Sequence, residues 1–190
     1  MRVVTILGGP RVDGNTDRIL DWTERALRDW SHDVERINLG SLHVGGCKSC
    51  FACAESADEP GCILSDDGPD ILRKMTASDA VLFATPLYMW GFASQLKALL
   101  DRSICLVRGY GAPEYRSFVD GKPTALLVSC AGPIEGNAEL IQQSFSRYAD
   151  YTKLDSVGAF VFPHCTDVNM LPNTHGAQAR TLAAALVGRD

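Results

Sequence analysis

The amino-acid sequence predicts an α/β fold, one parallel β-sheet held between two layers of helices. Three observations carry the prediction. Short β-branched or apolar runs bounded by turn residues occur five times along the chain, and a helical pattern follows each of them. No repeat, low-complexity tract or linker interrupts this alternation, so right-handed crossovers within one sheet are expected. A chain of 190 residues that is 46% apolar and 22% charged suits a single domain spanning 1–190. Such a domain buries roughly 70% of its unfolded surface and needs no disulfide or metal merely to stay folded.

The first strand is Val3 to Leu7, and its exit, Gly8-Gly9-Pro10-Arg11-Val12-Asp13-Gly14-Asn15-Thr16, runs straight into a helix. That helix places Ile19, Leu20, Thr23, Ala26, Leu27 and Trp30 on one stripe. Asp21 with Arg25 and Glu24 with Arg28 are expected to pair on its outer face, and Trp22, off the stripe, to mark a subunit contact. Val34 to Leu39 is the second strand, followed by a cysteine-rich stretch and a helix over Pro69 to Thr76. The third strand, Ala80 to Ala84, leaves through Thr85-Pro86-Leu87-Tyr88-Met89-Trp90-Gly91 into a helix over Ala93 to Leu106. Arg108 to Phe118 is long and aromatic, and reads as a lid, a subunit contact or a surface insertion. Thr124 to Ser129 with Asn137 to Tyr148, then Val157 to Phe162 with Gly176 to Val187, complete the alternation. All five strands read as buried on both faces. Ligands of such sheets bind beyond the carboxyl ends of the strands at the switch point, which directs attention to the loops after strands one, three and four.

Eighteen basic against twenty-three acidic residues leave a net charge of −5, with the basic residues scattered. That distribution argues against nucleic acid and anionic membrane as partners. The opening residues read as a strand rather than an export signal, and no run is long enough to span a bilayer. The seven cysteines are therefore expected in a reducing cytoplasm, where clusters of them bind metal or do redox work.

The first loop is built for an anion. Its glycines let backbone N–H groups close on a ligand, and the helix start adds unpaired donors and a positive dipole end. Neither a Gly-x-Gly-x-x-Gly fingerprint nor a Gly-Lys-Ser/Thr follows, so a terminal phosphate monoester fits better than a dinucleotide or a nucleoside triphosphate. Arg11 offers forked donors and Thr16 a hydroxyl. The plain alternative is a turn in which Asn15 or Thr16 caps the helix. In the third loop, Tyr88 and Trp90 offer planar apolar surface to a flat ring system, or else plug the core.

Taken together, Gly8, Pro10, Arg11, Gly14, Asn15 and Thr16, then Thr85, Pro86, Tyr88, Leu96, Lys97, Asp101 and Arg102, resemble the motifs of the NAD(P)H-dependent FMN reductases of the flavodoxin-like superfamily. The resemblance implies a flavodoxin-like three-layer sandwich with a five-stranded parallel sheet in the order 2-1-3-4-5. It implies FMN with its phosphate at Gly9, Pro10, Arg11, Gly14, Asn15 and Thr16, and its ring bordered by Pro86, Leu87, Tyr88, Met89, Trp90 and Gly91. The loop after strand four, with Cys130, Gly132 and Gly136, would meet the pyrimidine end of the ring. NAD(P)H as co-substrate, a small-molecule electron acceptor and a homodimer or homotetramer are implied as well. Gly9 departs from the serine common there and removes one hydroxyl donor. A flavin also accounts for the lack of an evident protein acid, base or nucleophile, so no catalytic side chain is assigned.

Cys47, Cys50 and Cys53 form a Cys-x-x-Cys-x-x-Cys run, with Cys62 after a gap of eight residues. Three thiolates so close, with a fourth further on, can hold an iron–sulfur cluster. The run resembles that of the iron–sulfur flavoproteins, a branch of the same family whose fourth cysteine comes sooner. Zinc would call for a second Cys-x-x-Cys pair, absent here. A redox dithiol of Cys47 and Cys50 is a further reading, and Cys105, Cys165 and Cys130 are expected to pack as small apolar groups. His164 ends strand five with Cys165, while His32, His43 and His175 are expected to be exposed or capping. Three functions follow: an FMN-dependent reductase of a quinone, nitro or azo compound or pathway intermediate, an iron–sulfur flavoprotein electron carrier, or a non-enzymatic metal-holding module.

Overall fold

A computed structural model describes residues 1–189. In chain order the principal elements are β1 (Arg2–Leu7), α1 (Asn15–Asp29), β2 (Asp33–Asn38), α2 (Gly68–Ala77), β3 (Ala80–Tyr88), β4 (Gly91–Phe92) and α3 (Ser94–Arg102). They continue with β5 (Val107–Arg108), β6 (Arg116–Ser117), β7 (Pro123–Ser129), α4 (Glu139–Thr152), β8 (Asp155–Phe162) and α5 (Thr174–Leu186). The main sheet runs β2-β1-β3-β7-β8, all parallel, which is the expected order 2-1-3-4-5 once the short strands are set aside. Among the described residues no helix is long and apolar enough to cross a membrane.

Alternation along the strands builds two cores. Val4 and Ile6 of β1 face Leu72, Leu96 and Ile141 on one side, and Val3 and Leu7 face Ile19, Leu27 and Leu182 on the other. Helices α2, α3 and α4 cover the first side and α1 and α5 the second, giving three layers.

Four local expectations need correction. The outer strands are not buried on both faces: β2 apart from Ile37, and the first part of β8, are half-buried or exposed, because each lies at an edge of the sheet. Asp21 pairs with Arg36 of β2 at 2.7 Å rather than with Arg25, because Arg36 also reaches Asp17 and Glu24 and draws the acidic face of α1 onto the sheet edge. Glu24 does pair with Arg28, but it is buried and also accepts from the Thr5 hydroxyl at 2.6 Å. His175 is buried edge-on against Phe162, since the first turn of α5 folds under β8. The α3 helix ends at Arg102 and continues as a 3₁₀ turn over Ser103–Leu106, beyond which Arg108 Nη1 donates to the carbonyls of Cys105 and Val107.

Candidate flavin cleft and cysteine cavity

The carboxyl ends of β1, β3 and β7 open onto a cleft enclosing about 560 Å³, counted with the solvent at its mouth. From the first loop come Gly9, Pro10, Arg11, Gly14, Asn15 and Thr16, from the third Pro86, Leu87 and Tyr88, and from the fourth Cys130. The sequence-predicted residues of three loops thus meet in one place. Met89 and Trp90 form the turn between β3 and β4 and Gly91 opens β4, while Gly132 and Gly136 lie further along the fourth loop; none of these five lines the cleft itself.

Glycine is demanded here by packing. A Cβ on Gly8 would stand 2.5 Å from Leu96 Cβ, and one on Gly9 would stand 3.1 Å from Pro86 Cδ. Gly40, just after β2, packs so closely under the loop that its Cβ would lie 3.0 Å from the carbonyl oxygens of Gly9 and Pro10. Gly14 differs, since its nearest neighbour would be Arg11 Cβ at 3.9 Å, an ordinary contact. Its small size is not required by the protein's own packing and suits close approach of a ligand.

Gly14 is also the N-cap of α1, and no side chain caps the helix. The first intrahelical bond is Arg18 N–H to the Gly14 carbonyl, so the first-turn amides before it are left as donors. Asn15 and Thr16, the alternative caps, are engaged elsewhere. Asn15 Nδ2 donates to the Cys165 carbonyl at 2.7 Å, and the Thr16 and Ser129 hydroxyls pair at 2.6 Å. Asn15 Oδ1 is buried with no donor. The cleft therefore presents donors for an anion next to an acceptor that wants a hydroxyl, and a ribityl phosphate carries both groups.

Ser129 and Ala131, in the fourth loop that the resemblance points to, also line the cleft, while sequence reasoning missed Cys165 as a cleft residue and Gly40 as its brace. Ser129 stands 113 positions from Thr16, so no local pattern signals the pairing. Burial pushes the Cys165 thiol up to about 11, and it raises that of Cys130 as well, so both stay protonated at neutral pH. The turn at Met89 and Trp90 holds both residues at positive φ, 47° and 61°, as a two-residue hairpin requires. It sends their side chains into solvent, with Met89 83% exposed.

The loop after β2 forms a second hollow, enclosing about 400 Å³ with the solvent at its mouth. Cys47, Cys50, Cys53 and Cys62 all line it, with Cys105 and Arg102 at its floor. Cys47 and Cys50 are exposed and Cys105 is buried. Burial, with Cys62 and Cys53 nearby, pushes the Cys105 thiol up to about 12. Among the described residues no three of His, Cys, Asp and Glu converge tightly enough to hold a single metal ion.

Side chains hold this segment. Asp66 accepts from Arg102 Nη1 at 2.9 and 2.7 Å, from Gly45 N–H at 2.9 Å and from Gly68 N–H at 3.0 Å. Arg108 donates to the carbonyls of Ser56 and Glu59, and Arg116 to that of Ala57. The stretch from Arg108 to Phe118 is therefore a hairpin, β5 with β6, whose arginines clasp the cysteine segment.

The family model of NADPH-dependent FMN reductases matches residues 1–166. Over 144 residues the chain is 30% identical to an iron-sulfur flavoprotein of Methanosarcina thermophila, covering 76% of this chain and 70% of that protein. It is 28% identical over 145 residues to a Bacillus subtilis protein named as an NAD(P)H-dependent FMN-containing oxidoreductase, 75% of each chain. Of one iron-sulfur flavoprotein of Archaeoglobus fulgidus and one of Methanocaldococcus jannaschii it spans just over half the length, 56% and 55%. An FMN-dependent NADH-azoreductase of Bacillus anthracis, solved with FMN, superposes at a TM-score of 0.73 over 98% of this chain and 99% of that one. At 13% identity that likeness speaks for the fold alone.

Proposed function

The chain belongs to the NADPH-dependent FMN reductase family, with FMN as cofactor and NAD(P)H as co-substrate, and on that premise we propose that it passes electrons to a small acceptor of the quinone, nitro or azo class, or to a pathway intermediate. The uncapped start of α1 under a glycine loop carries this reading, because it leaves backbone donors where the cofactor's phosphate must be gripped. When bound, FMN supplies hydride acceptance from the nicotinamide and onward electron transfer, chemistry that no side chain of the cleft has to perform.

The chain's own residues bind and orient. The first-turn amides, Arg11 and Thr16 hold the phosphate, and Asn15 Oδ1 accepts from a ribityl hydroxyl. Pro86, Leu87 and Tyr88 wall the ring, with Met89, Trp90 and Gly91 at its outer edge. Cys130, Gly132 and Gly136 shape the loop that meets its pyrimidine end. The test is spectroscopic and kinetic. Purified protein is expected to take up FMN with structured flavin bands and to oxidise NADH or NADPH once an acceptor is added. Failure to bind FMN, or indifference to both nicotinamides with every acceptor tried, overturns the reading.

One observation favours a second reading, in which the chain also holds an iron–sulfur cluster on Cys47, Cys50, Cys53 and Cys62. The four thiols line a single hollow, although they are spread over sixteen positions of irregular chain. Iron retained after anaerobic reconstitution, with a broad absorption shoulder that bleaches on reduction, supports it. A protein that takes FMN and no iron removes it.

A further inference from the structure

We propose that Arg36, on the outer strand β2, sets how tightly the first loop grips a phosphate, by neutralising the Asp17 carboxylate in the first turn of α1. The proposal rests on the placement of the FMN phosphate at that loop.

The start of α1 carries a conflict of charge. Gly14, Asn15 and Thr16 line the cleft, and Asp17 is the next residue, in the same first turn. Asp17 is buried, and its Oδ2 reaches back to accept from Asp13 N–H at 2.7 Å. Asp13 itself lies in the left-handed region at φ 64°, a conformation uncommon for residues other than glycine, so this bond helps to fix the loop. An acidic side chain at a helix start is favourable in its own right, because the dipole attracts it. A phosphate held at the same end draws on the same field. An uncompensated carboxylate one residue behind it would repel it.

Arg36 removes that conflict. Its Nη1 meets Asp17 Oδ1 at 2.5 Å, its Nη2 meets Asp21 at 2.7 Å and its Nε meets Glu24 at 2.7 Å. Glu24 keeps two further partners, the Thr5 hydroxyl and Arg28, and stays compensated without Arg36. Asp17 does not, since among the described residues Arg36 is its only cation within 4 Å. The two side chains are 19% and 10% exposed, so water screens the pair only in part. Burial disfavours the charged guanidinium, but the three carboxylates outweigh burial and hold its pKa above the ordinary arginine value. Arg36 does not line the cleft. It acts through Asp17 and is a positioning residue rather than a catalytic one.

The experiment titrates the full-length apoprotein with FMN and with riboflavin, which has the same ring and ribityl chain but no phosphate. The ratio of the two dissociation constants isolates the phosphate, because general loosening of the cleft weakens both ligands alike. Arg36→Gln is expected to lower the preference for FMN by roughly two- to thirtyfold, the range for one charge near a helix start. Asp17→Asn, which removes the negative charge but keeps an acceptor for Asp13 N–H, should raise the preference. The double variant should return close to wild type, which marks the two residues as coupled. An equal ratio in wild type and Arg36→Gln overturns the proposal. If Arg36→Gln does not fold, an unchanged or lowered preference in Asp17→Asn overturns it instead. Wild-type protein that binds riboflavin as tightly as FMN removes the phosphate reading of the loop itself, and this shows before any variant is made.

Discussion

The loops after β1 and β2 are held in place by opposite means. In the first, glycines keep the backbone close to its neighbours: a Cβ on Gly8 would clash with Leu96, and one on Gly9 or Gly40 would crowd Pro86 or the carbonyls of Gly9 and Pro10. In the second, little regular structure exists between Leu42 and Asp67 beyond a 3₁₀ turn at Ala52–Glu55. Its carbonyls are clasped by Arg102, Arg108 and Arg116 instead. The first loop is thus as firm as the sheet that carries it. The second depends on a few charged side chains and opens if one of them is lost.

The largest break in that contrast should come at Asp66. Asp66→Ala strips the buried Arg102 of its carboxylate, which typically costs about 3–5 kcal/mol, read as a lower denaturant midpoint. A loss below about 1 kcal/mol would mean that the second loop does not lean on this pair. The pair also sets a pH dependence. Burial pushes the Asp66 carboxyl up, but Arg102 and the N–H groups of Gly45 and Gly68 outweigh it and hold the carboxyl below its ordinary range. A carboxylate lowered in the folded state stabilises above its unfolded pKa of about 3.9, and that contribution fades as pH falls through the folded value. The stability gap between wild type and Asp66→Ala should therefore narrow below about pH 4.

Next in size is Thr16→Val, which probes the firm loop. Loss of one hydroxyl donor to a phosphate oxygen should weaken FMN binding by about 1.5–3 kcal/mol, roughly tenfold or more by fluorescence titration. Unaltered affinity would leave Thr16 as no more than the partner of Ser129. The smallest effect on the whole molecule is expected from Arg108→Gln, which removes the side-chain bonds to Ser56 and Glu59 along with those to Cys105 and Val107 at its own turn. Global stability should fall by only about 1 kcal/mol while amide exchange over 52–62 accelerates and that of the first loop does not. Equal acceleration in both loops would erase the distinction between them.

What could be read from the sequence followed the same division. The five strands and the first loop were legible because strand runs and the Gly8-to-Thr16 exit are continuous in the chain, and the order of the strands came only with the family resemblance. The pairing of Asp21 with Arg36 was not, because a neighbour four positions away looked sufficient while the real partner lay on the next strand. Arg102 stood out only as part of a motif. Its place in the cysteine hollow depends on Asp66, 36 positions earlier, and burial of a guanidinium leaves no local mark. His175 misled for a related reason, since its burial is decided by Phe162 of the strand above it. The hydroxyl pair and Gly40 likewise join segments that sequence spacing does not connect.

The contact of Gly8 with Leu96 has one more consequence. It bolts the phosphate end of the cleft to the helix behind the ring end, and Gly9 on Pro86 does the same from the front, so both halves of the pocket form one stiff piece before any flavin arrives. Little ordering is left for the cofactor to impose. Flavin can then depart and return without the scaffold refolding, and its contribution to thermal stability should follow nothing more than its concentration relative to its dissociation constant.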